Sequence, residues 1–412
     1  APVRADGRLM ITLKLDLLQT LTLAAVVYYA GVLLRQRIAV LTRLNIPSAV
    51  VGGLLFATFV LVCRDRFLNL QLETIGQPLL NVAFFTTIGM GASVVLLRSG
   101  GLAVAVFLVF SSIVCVAQNL LGMAVATGLG ENPLLGVMAG SVTLMGGPAT
   151  GLAFAPDFVR AGLPGADVLA ITSAVFGIVC GGLTGGPVGT WLVKRHRLRS
   201  VRQASPVADE AANPEPLREI VVHVEREDTA IIRNLAVLAL AMGLGSVLSR
   251  YIQATGFTLP AYIGAMVVAS GLRNLDDATG WLHIDEDSME FIGGIALNIF
   301  LVVALMDLKL WQLAGQALPL FVILLAQLAM LVVLAVLVSY RLMGRDYDSA
   351  VMAGGFIGFA MGTTANAVAN MRTLAGRFGP APRAFLVVPL VGAFFIDFIN
   401  ALVITGFLNW LR

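Results

Sequence analysis

Charge is scarce in this chain of 412 residues: Asp, Glu, Lys and Arg together make up 12%, against about a quarter in ordinary soluble domains. With 58% of the residues hydrophobic, that shortage excludes a soluble globular protein. Histidine and cysteine are nearly as scarce, at three each. His196, His223 and His283 stand in polar stretches without clustered partners, which excludes a zinc-type site and any histidine base at membrane depth. Cys63, Cys115 and Cys180 are far apart in apolar segments, a spacing that fits neither a redox pair nor a structural disulfide. Without a nucleophile and base at membrane depth, an intramembrane enzyme has nothing to stand on. The net charge of +3 points to no nucleic-acid partner.

What the chain does have is long apolar runs, such as Leu15 to Leu34, Gly101 to Leu129 and Gln316 to Tyr340. A bilayer core of about 30 Å takes a helix of about 20 residues, so the expected class is an all-α polytopic membrane protein. Ten spans are expected, near 15–34, 47–63, 75–97, 102–125, 167–193, 233–252, 258–272, 288–306, 316–340 and 384–408. They divide into a tail, 1–14, a first repeat, 15–193, a polar linker, 194–232, and a second repeat, 233–412. The tail lacks the apolar core and cleavage site of a signal peptide. Each repeat holds one further apolar segment, 133–156 and 348–371, broken by Gly140, Gly146, Gly147, Pro148 and Gly151 in the first and by Gly354, Gly355, Gly358 and Gly362 in the second.

The repeat is visible in order along the chain. Ile46-Pro47-Ser48-Ala49-Val50-Val51-Gly52 returns as Leu259-Pro260-Ala261-Tyr262-Ile263-Gly264, Gln118 as Gln327, and Val137-Met138-Ala139-Gly140 as Val351-Met352-Ala353-Gly354. Five crossings per half is odd, so the second half enters from the opposite face. The basic residues agree in sign. With the linker inside, Arg35, Arg37, Arg43, Arg98, the linker residues Lys194 to Arg226, Arg233, Arg273, Arg341, Arg345, Arg372, Arg377 and Arg383 are cytoplasmic, and Arg4, Arg8, Lys14, Arg64, Arg66, Arg160, Arg250, Lys309 and Arg412 are outside, a bias of about two to one. Both termini are then periplasmic.

An interrupted backbone at membrane depth is tolerated only where protein or water covers it, and two interruptions at matching places in inverted halves point to a binding site. If each segment is a re-entrant hairpin, the helix starting at its tip offers free N–H groups to a carboxylate, and the helix ending there offers carbonyls to a cation. Ser141, Thr143, Gly147, Thr150 and Gly151 at the first tip and Thr363, Thr364 and Asn366 at the second are the expected substrate contacts. Asp397, a carboxylate inside a span, is functional by default and joins them. Thr143, Gly362, Asp397 and Asn400 are the expected ion ligands, Asn400 being one helical turn beyond Asp397. Thr86, Thr87, Gln118, Asn119, Asn298 and Gln327 are read as interhelical hydrogen-bonding groups as readily as ligands.

Several of these stretches resemble the bacterial glutamate:sodium symporter family. They include Phe84-Phe85-Thr86-Thr87-Ile88-Gly89, Gly140-Ser141-Val142-Thr143-Leu144, Leu308-Lys309-Leu310-Trp311, Arg377-Phe378-Gly379-Pro380 and Val391-Gly392-Ala393-Phe394-Phe395-Ile396-Asp397. The resemblance implies a Na⁺-coupled carrier importing L-glutamate across the bacterial inner membrane. It implies no cofactor beyond the coupling ion Na⁺, a homodimer in the lipid bilayer, and alternating access by elevator-type motion of a transport domain against a scaffold. The tips depart from the family's habit. Gly146-Gly147-Pro148-Ala149-Thr150-Gly151 stands where Gly-Gly-His-Gly-Thr-Gly is usual, and Thr363-Thr364-Ala365-Asn366 where Ala-Thr-Pro-Thr is usual. Another small carboxylate or amino acid, or coupling to H⁺ through Asp397, therefore stays open.

Overall fold

The computed structural model describes residues 11–64, 68–200, 228–256, 259–313 and 315–411. Most of the expected tail and of the linker, with His223, lies outside the described residues. What is described is almost entirely helical, and each of the ten apolar segments is occupied by helix. In the first half these are α1 (Leu17–Arg37), the short α2 (Ala39–Arg43), α3 (Ser48–Cys63), α4 (Gln77–Gly91) with α5 (Val94–Ser99), and α6 (Gly101–Gly128). There follow α7 (Pro133–Val137), a π-helical turn (Met138–Val142), α8 (Gly147–Arg160) and α9 (Ala166–His196). The second half has α10 (Asp228–Gln253), α11 (Ala261–Thr279), α12 (Glu286–Met306), α13 (Ala317–Leu334) leading through Ala335–Ser339 into α14 (Tyr340–Leu342), α15 (Tyr347–Ala360) and α16 (Thr364–Phe378). It closes with α17 (Pro382–Leu390) and α18 (Ile396–Trp410), joined by a π-helical turn.

Among the described residues six helices are long and apolar enough to cross a membrane alone, α1, α6, α9, α10, α12 and α13 with its extension; α17 and α18, bent by 43°, make a seventh if taken as one span. The chain is thus a multi-pass membrane protein. Its outer surface fits that reading: Leu18, Leu102, Ile113, Leu318 and Val333 are among many large apolar side chains left exposed, a surface that hydrocarbon and not water must cover.

One feature departs from the all-α expectation. Ile11–Leu15 (β1) and Leu68–Leu72 (β2) form a two-stranded parallel sheet, Ile11 opposite Leu68 and Leu15 opposite Leu72. Both strands alternate apolar and polar residues, Ile-Thr-Leu-Lys-Leu and Leu-Asn-Leu-Gln-Leu, the period-two pattern of a strand. The pairing sets the starts of α1 and α4 side by side.

The two halves interlock. In the first, α3 packs on α1 and on α12 of the second half; in the second, α11 packs on α10 and on α4 of the first. Small residues let the backbones close up. A β-carbon on Gly31 or Gly52 would collide with the facing backbone across α1 and α3, and one on Gly245 or Gly264 would collide across α10 and α11. The fourth long helices of the halves, α6 and α13, also pack together, and α9 of the first half lies against α15 and α16 of the second.

Candidate binding site at the two helix breaks

The first broken segment opens with a capped turn: Asn132 accepts from the Leu134 N–H at 2.9 Å and Pro133 occupies the first helical position. Helical geometry fails at Gly140, where φ is −100° and ψ −133°. No side chain fits there, since a β-carbon would lie 2.7 Å from Asn119 Oδ1. The chain resumes as α8 at Gly147, whose φ of +69° favours glycine. In the second segment α15 ends at Ala360 and α16 starts at Thr364, capped by Thr363, which accepts from the Asn366 N–H at 3.4 Å. Across this three-residue break α15 and α16 pack on one another.

The two breaks meet. A β-carbon on Gly147 would lie 3.3 Å from the Gly362 carbonyl oxygen and 3.8 Å from Thr363 Cγ2. The starts of α8 and α16 therefore converge on one region, which suits a negatively charged group on physical grounds.

A buried polar network surrounds that region. Asn119 of α6 accepts the Ser141 N–H at 2.9 Å, and Asn400 of α18 donates to the Ser141 carbonyl at 2.9 Å. Gln118 donates to the Ala360 carbonyl at 3.0 Å, and Gln327 of α13 donates to the Gln118 carbonyl at 2.6 Å. Asn366 donates to the Ile178 carbonyl of α9 at 2.9 Å. Each amide residue spends one end of its side chain on the fold and leaves the other without a protein partner, Asn400 Oδ1, Gln118 Oε1, Gln327 Oε1 and Asn366 Oδ1 as acceptors and Asn119 Nδ2 as a donor; Ser141, bonded through its backbone, leaves its Oγ unpaired. Unpaired buried oxygens are costly, about 1–3 kcal/mol each, and a set of neutral oxygens is the donor chemistry of a hard cation such as Na⁺.

The other expected residues are placed as follows. Thr143 is fully buried and donates to the Met138 carbonyl at 2.7 Å, leaving its lone pairs. Thr150 is 4% exposed and sits over the tip, where a β-carbon on Gly146 would touch it at 2.6 Å. Gly151 is a packing position between Ala170 and Thr143. Thr364 faces Gly392, 2.9 Å from where that glycine's β-carbon would be. Its tip thus lies against the π-helical turn Val391–Phe395 that precedes Asp397, which is partly buried in the first turn of α18. Thr86, Thr87 and Asn298 donate to carbonyls of their own helices, Val82, Phe84 and Gly294.

Three features escaped sequence reading. Gly177, Gly181, Gly185 and Gly189 recur every fourth residue on α9, and a β-carbon on any of them would press on the second broken segment. The signal was present as a small-xxx-small stripe. Asn370 reaches that seam too, donating to the Gly181 carbonyl at 3.0 Å. Finally, Asp157 of α8, buried to 2% exposure, accepts from Tyr262 of α11 at 2.8 Å and pairs with Arg160 at 2.5 Å.

The sequence, compared with known proteins, matches the model of a family described as sodium/glutamate symporter over residues 13–380. It is 38% identical over 398 residues to the sodium/glutamate symporter of Escherichia coli (strain K12), covering 96% of this chain and 98% of that one. It is 37% identical over 389 residues to the sodium/glutamate symporter of Haemophilus influenzae, covering 93% and 95%.

Proposed function

From the premise that the chain belongs to the sodium/glutamate symporter family, we propose that it imports L-glutamate with Na⁺ across a bacterial inner membrane by alternating access. Symporters are carriers, not enzymes, and this one needs Na⁺ as its coupling ion and no cofactor. The observation that carries the site is the meeting of two helix breaks amid buried oxygens that have no protein partner.

In this reading the N–H groups at the starts of α8 and α16, with Thr150, Thr363 and Thr364, hold the glutamate carboxylates. Asp397 pairs with the substrate ammonium. Ser141, Thr143, Asn400, Asn366 and the Gly362 carbonyl supply oxygens to Na⁺. Coupling follows from linkage: a cation bound beside the tips favours the anion, and the anion favours the cation by the same factor. The two halves are inverted repeats, 15–193 and 233–412, with re-entrant hairpins at 133–156 and 348–371, and ten crossings. Two groupings support that sidedness. Arg160 and Lys309, assigned to the outside from different halves, line one cavity of about 450 Å³ with Asp167 and Asp307, and Arg64 stacks on Trp311 nearby in sequence to Lys309. Arg195, Arg341 and Arg345, assigned to the inside, line another. Both termini are then periplasmic. The transport domain contains the broken segments, and movement against a scaffold of α3, α4, α11 and α12 in a homodimer is the elevator form of the cycle.

The test is uptake of labelled glutamate by purified protein in proteoliposomes. An inward Na⁺ gradient should drive accumulation, and uptake that is equal without Na⁺ removes the coupling claim. The unusual tip residues favour a panel of dicarboxylates and amino acids as competitors in the same assay. Asp397→Asn should lower glutamate affinity while leaving a Na⁺ dependence; loss of a proton requirement instead would point to H⁺ coupling.

A further inference from the structure

The cavity of about 800 Å³ between the end of α9 and the α13–α14 junction has no part in the site above. Its polar wall carries Arg195, Arg341 and Arg345. Among the described residues none of the three forms a salt bridge. The acid next in sequence, Asp346, is already held by Arg383 at 2.8 and 3.0 Å and caps α15 through the Ser349 N–H. The arginine-bearing turn is fixed. Tyr340 donates to the Arg345 carbonyl at 3.0 Å, its ring stacks on His196 at 5.1 Å, and Arg345 itself takes a φ of +58°. Three guanidinium groups facing one cavity, with no counter-charge paired to them among the described residues, make a receptor for a phosphate-type anion.

The other wall is apolar. Trp191 and Leu337 line the cavity and are 51% and 47% exposed. Val333, four residues before Leu337 towards the start of the same helix and away from the arginines, is also about half exposed. Tryptophan at a membrane edge sits at headgroup level, and an apolar strip running away from a basic pocket follows the path of an acyl chain.

We infer that this cavity binds an anionic diacyl phospholipid, its phosphate held by Arg195, Arg341 and Arg345 and its acyl chain laid along α13. A free phosphate would satisfy the arginines but not the apolar strip.

Trp191 is the reporter. In protein with Trp281, Trp311 and Trp410 replaced by Phe, reconstituted in phosphatidylcholine, bromine-labelled phosphatidylglycerol should quench Trp191 at lower mole fraction than bromine-labelled phosphatidylcholine. A preference of about fivefold per arginine is the scale expected. R195Q/R341Q/R345Q should abolish the preference, and R341Q alone should reduce it in part. Inorganic phosphate at millimolar concentration should not relieve the quenching. Equal quenching by the two lipids, a preference that survives the triple substitution, or relief by phosphate would each overturn the lipid assignment. The same lipid pair, added to delipidated protein of unaltered sequence, should raise the unfolding temperature more with phosphatidylglycerol, and an equal shift would count against the site.

Discussion

Asn400 and Ser141 show what a single polar side chain does at the centre of this protein. Asn400 uses its amide N–H to hold the Ser141 carbonyl and leaves its own Oδ1 buried and free. Asn400→Ala removes that oxygen and strands the carbonyl, a loss of about 1–3 kcal/mol. The half-saturating Na⁺ concentration for uptake should rise about tenfold, with the amount of protein in the membrane little changed; an unaltered Na⁺ dependence would remove Asn400 from the ion site. Ser141, Asn366 and Asn400 stood out in sequence because polar atoms in apolar helices are conspicuous. Their partners did not. Nothing in the chain pairs Asn119 with the Ser141 N–H or Asn366 with the Ile178 carbonyl, because one polar residue per helix names no neighbour. Asp157 was hidden for the opposite reason: beside Pro156 and Arg160 it reads as the charged end of a helix, yet it is buried against Tyr262.

At the scale of elements, α9 supplies the sharpest contrast. Gly185 has Asn370 and the Gly354 carbonyl so close that a β-carbon must displace them, whereas Gly182, one turn earlier, would meet only Leu44 Cδ2 in ordinary contact at 3.8 Å. Gly185→Ala should cost about 1–3 kcal/mol through overpacking and lower the thermal unfolding temperature in detergent. Gly182→Ala should be neutral or slightly stabilising, as Gly in a helix interior is less favourable than Ala by roughly 1 kcal/mol. Equal effects would mean that α9 does not seat the second broken segment as described. Helix positions were legible because apolar length alone fixes a span. The strands β1 and β2, each alternating over only five residues, are too short to stand out beside the long apolar runs of a membrane protein.

The turn from α11 to α12 makes a separate prediction. Asp276, at the polar end of α11 beyond its apolar stretch, accepts from the N–H groups of Leu282, His283 and Ile284 at 2.7, 3.0 and 2.8 Å. Partial burial alone would push its pKa up, but the three donors together outweigh it and hold the carboxyl below its ordinary value. A carboxylate with a depressed folded pKa stabilises fully above the unfolded value of about 3.9 and loses that stabilisation as the pH falls through the folded one. Melting curves of the wild type and Asp276→Ala should differ at pH 7 and converge as the pH drops below about 4. A gap independent of pH would mean that the carboxylate charge contributes nothing there.

For the whole molecule, the Tyr262–Asp157 bond is the point to probe, because it joins α8, a part of the proposed transport domain, to α11 of the proposed scaffold. A buried hydrogen bond to a charged group is worth about 1.5–3 kcal/mol. If α8 moves against α11, Tyr262→Phe should shift the balance of conformations about tenfold or more away from the one described, read as a new distance population between spin labels on the two helices. Unchanged distances would mean that the bond does not distinguish two states.

The interlock of the halves also makes each of them insufficient alone. The glycine stripe of α9 lies in the first half but is covered by α15 and α16 of the second, and α3 and α11 each rest on a helix from the opposite half. A gene for one half alone would encode a protein with its small-residue seams bare, able to close them only against a second copy of itself. Each half therefore depends on the other to cover its seams. That dependence is simple to test: the two halves expressed as separate chains should accumulate in the membrane together and be degraded singly.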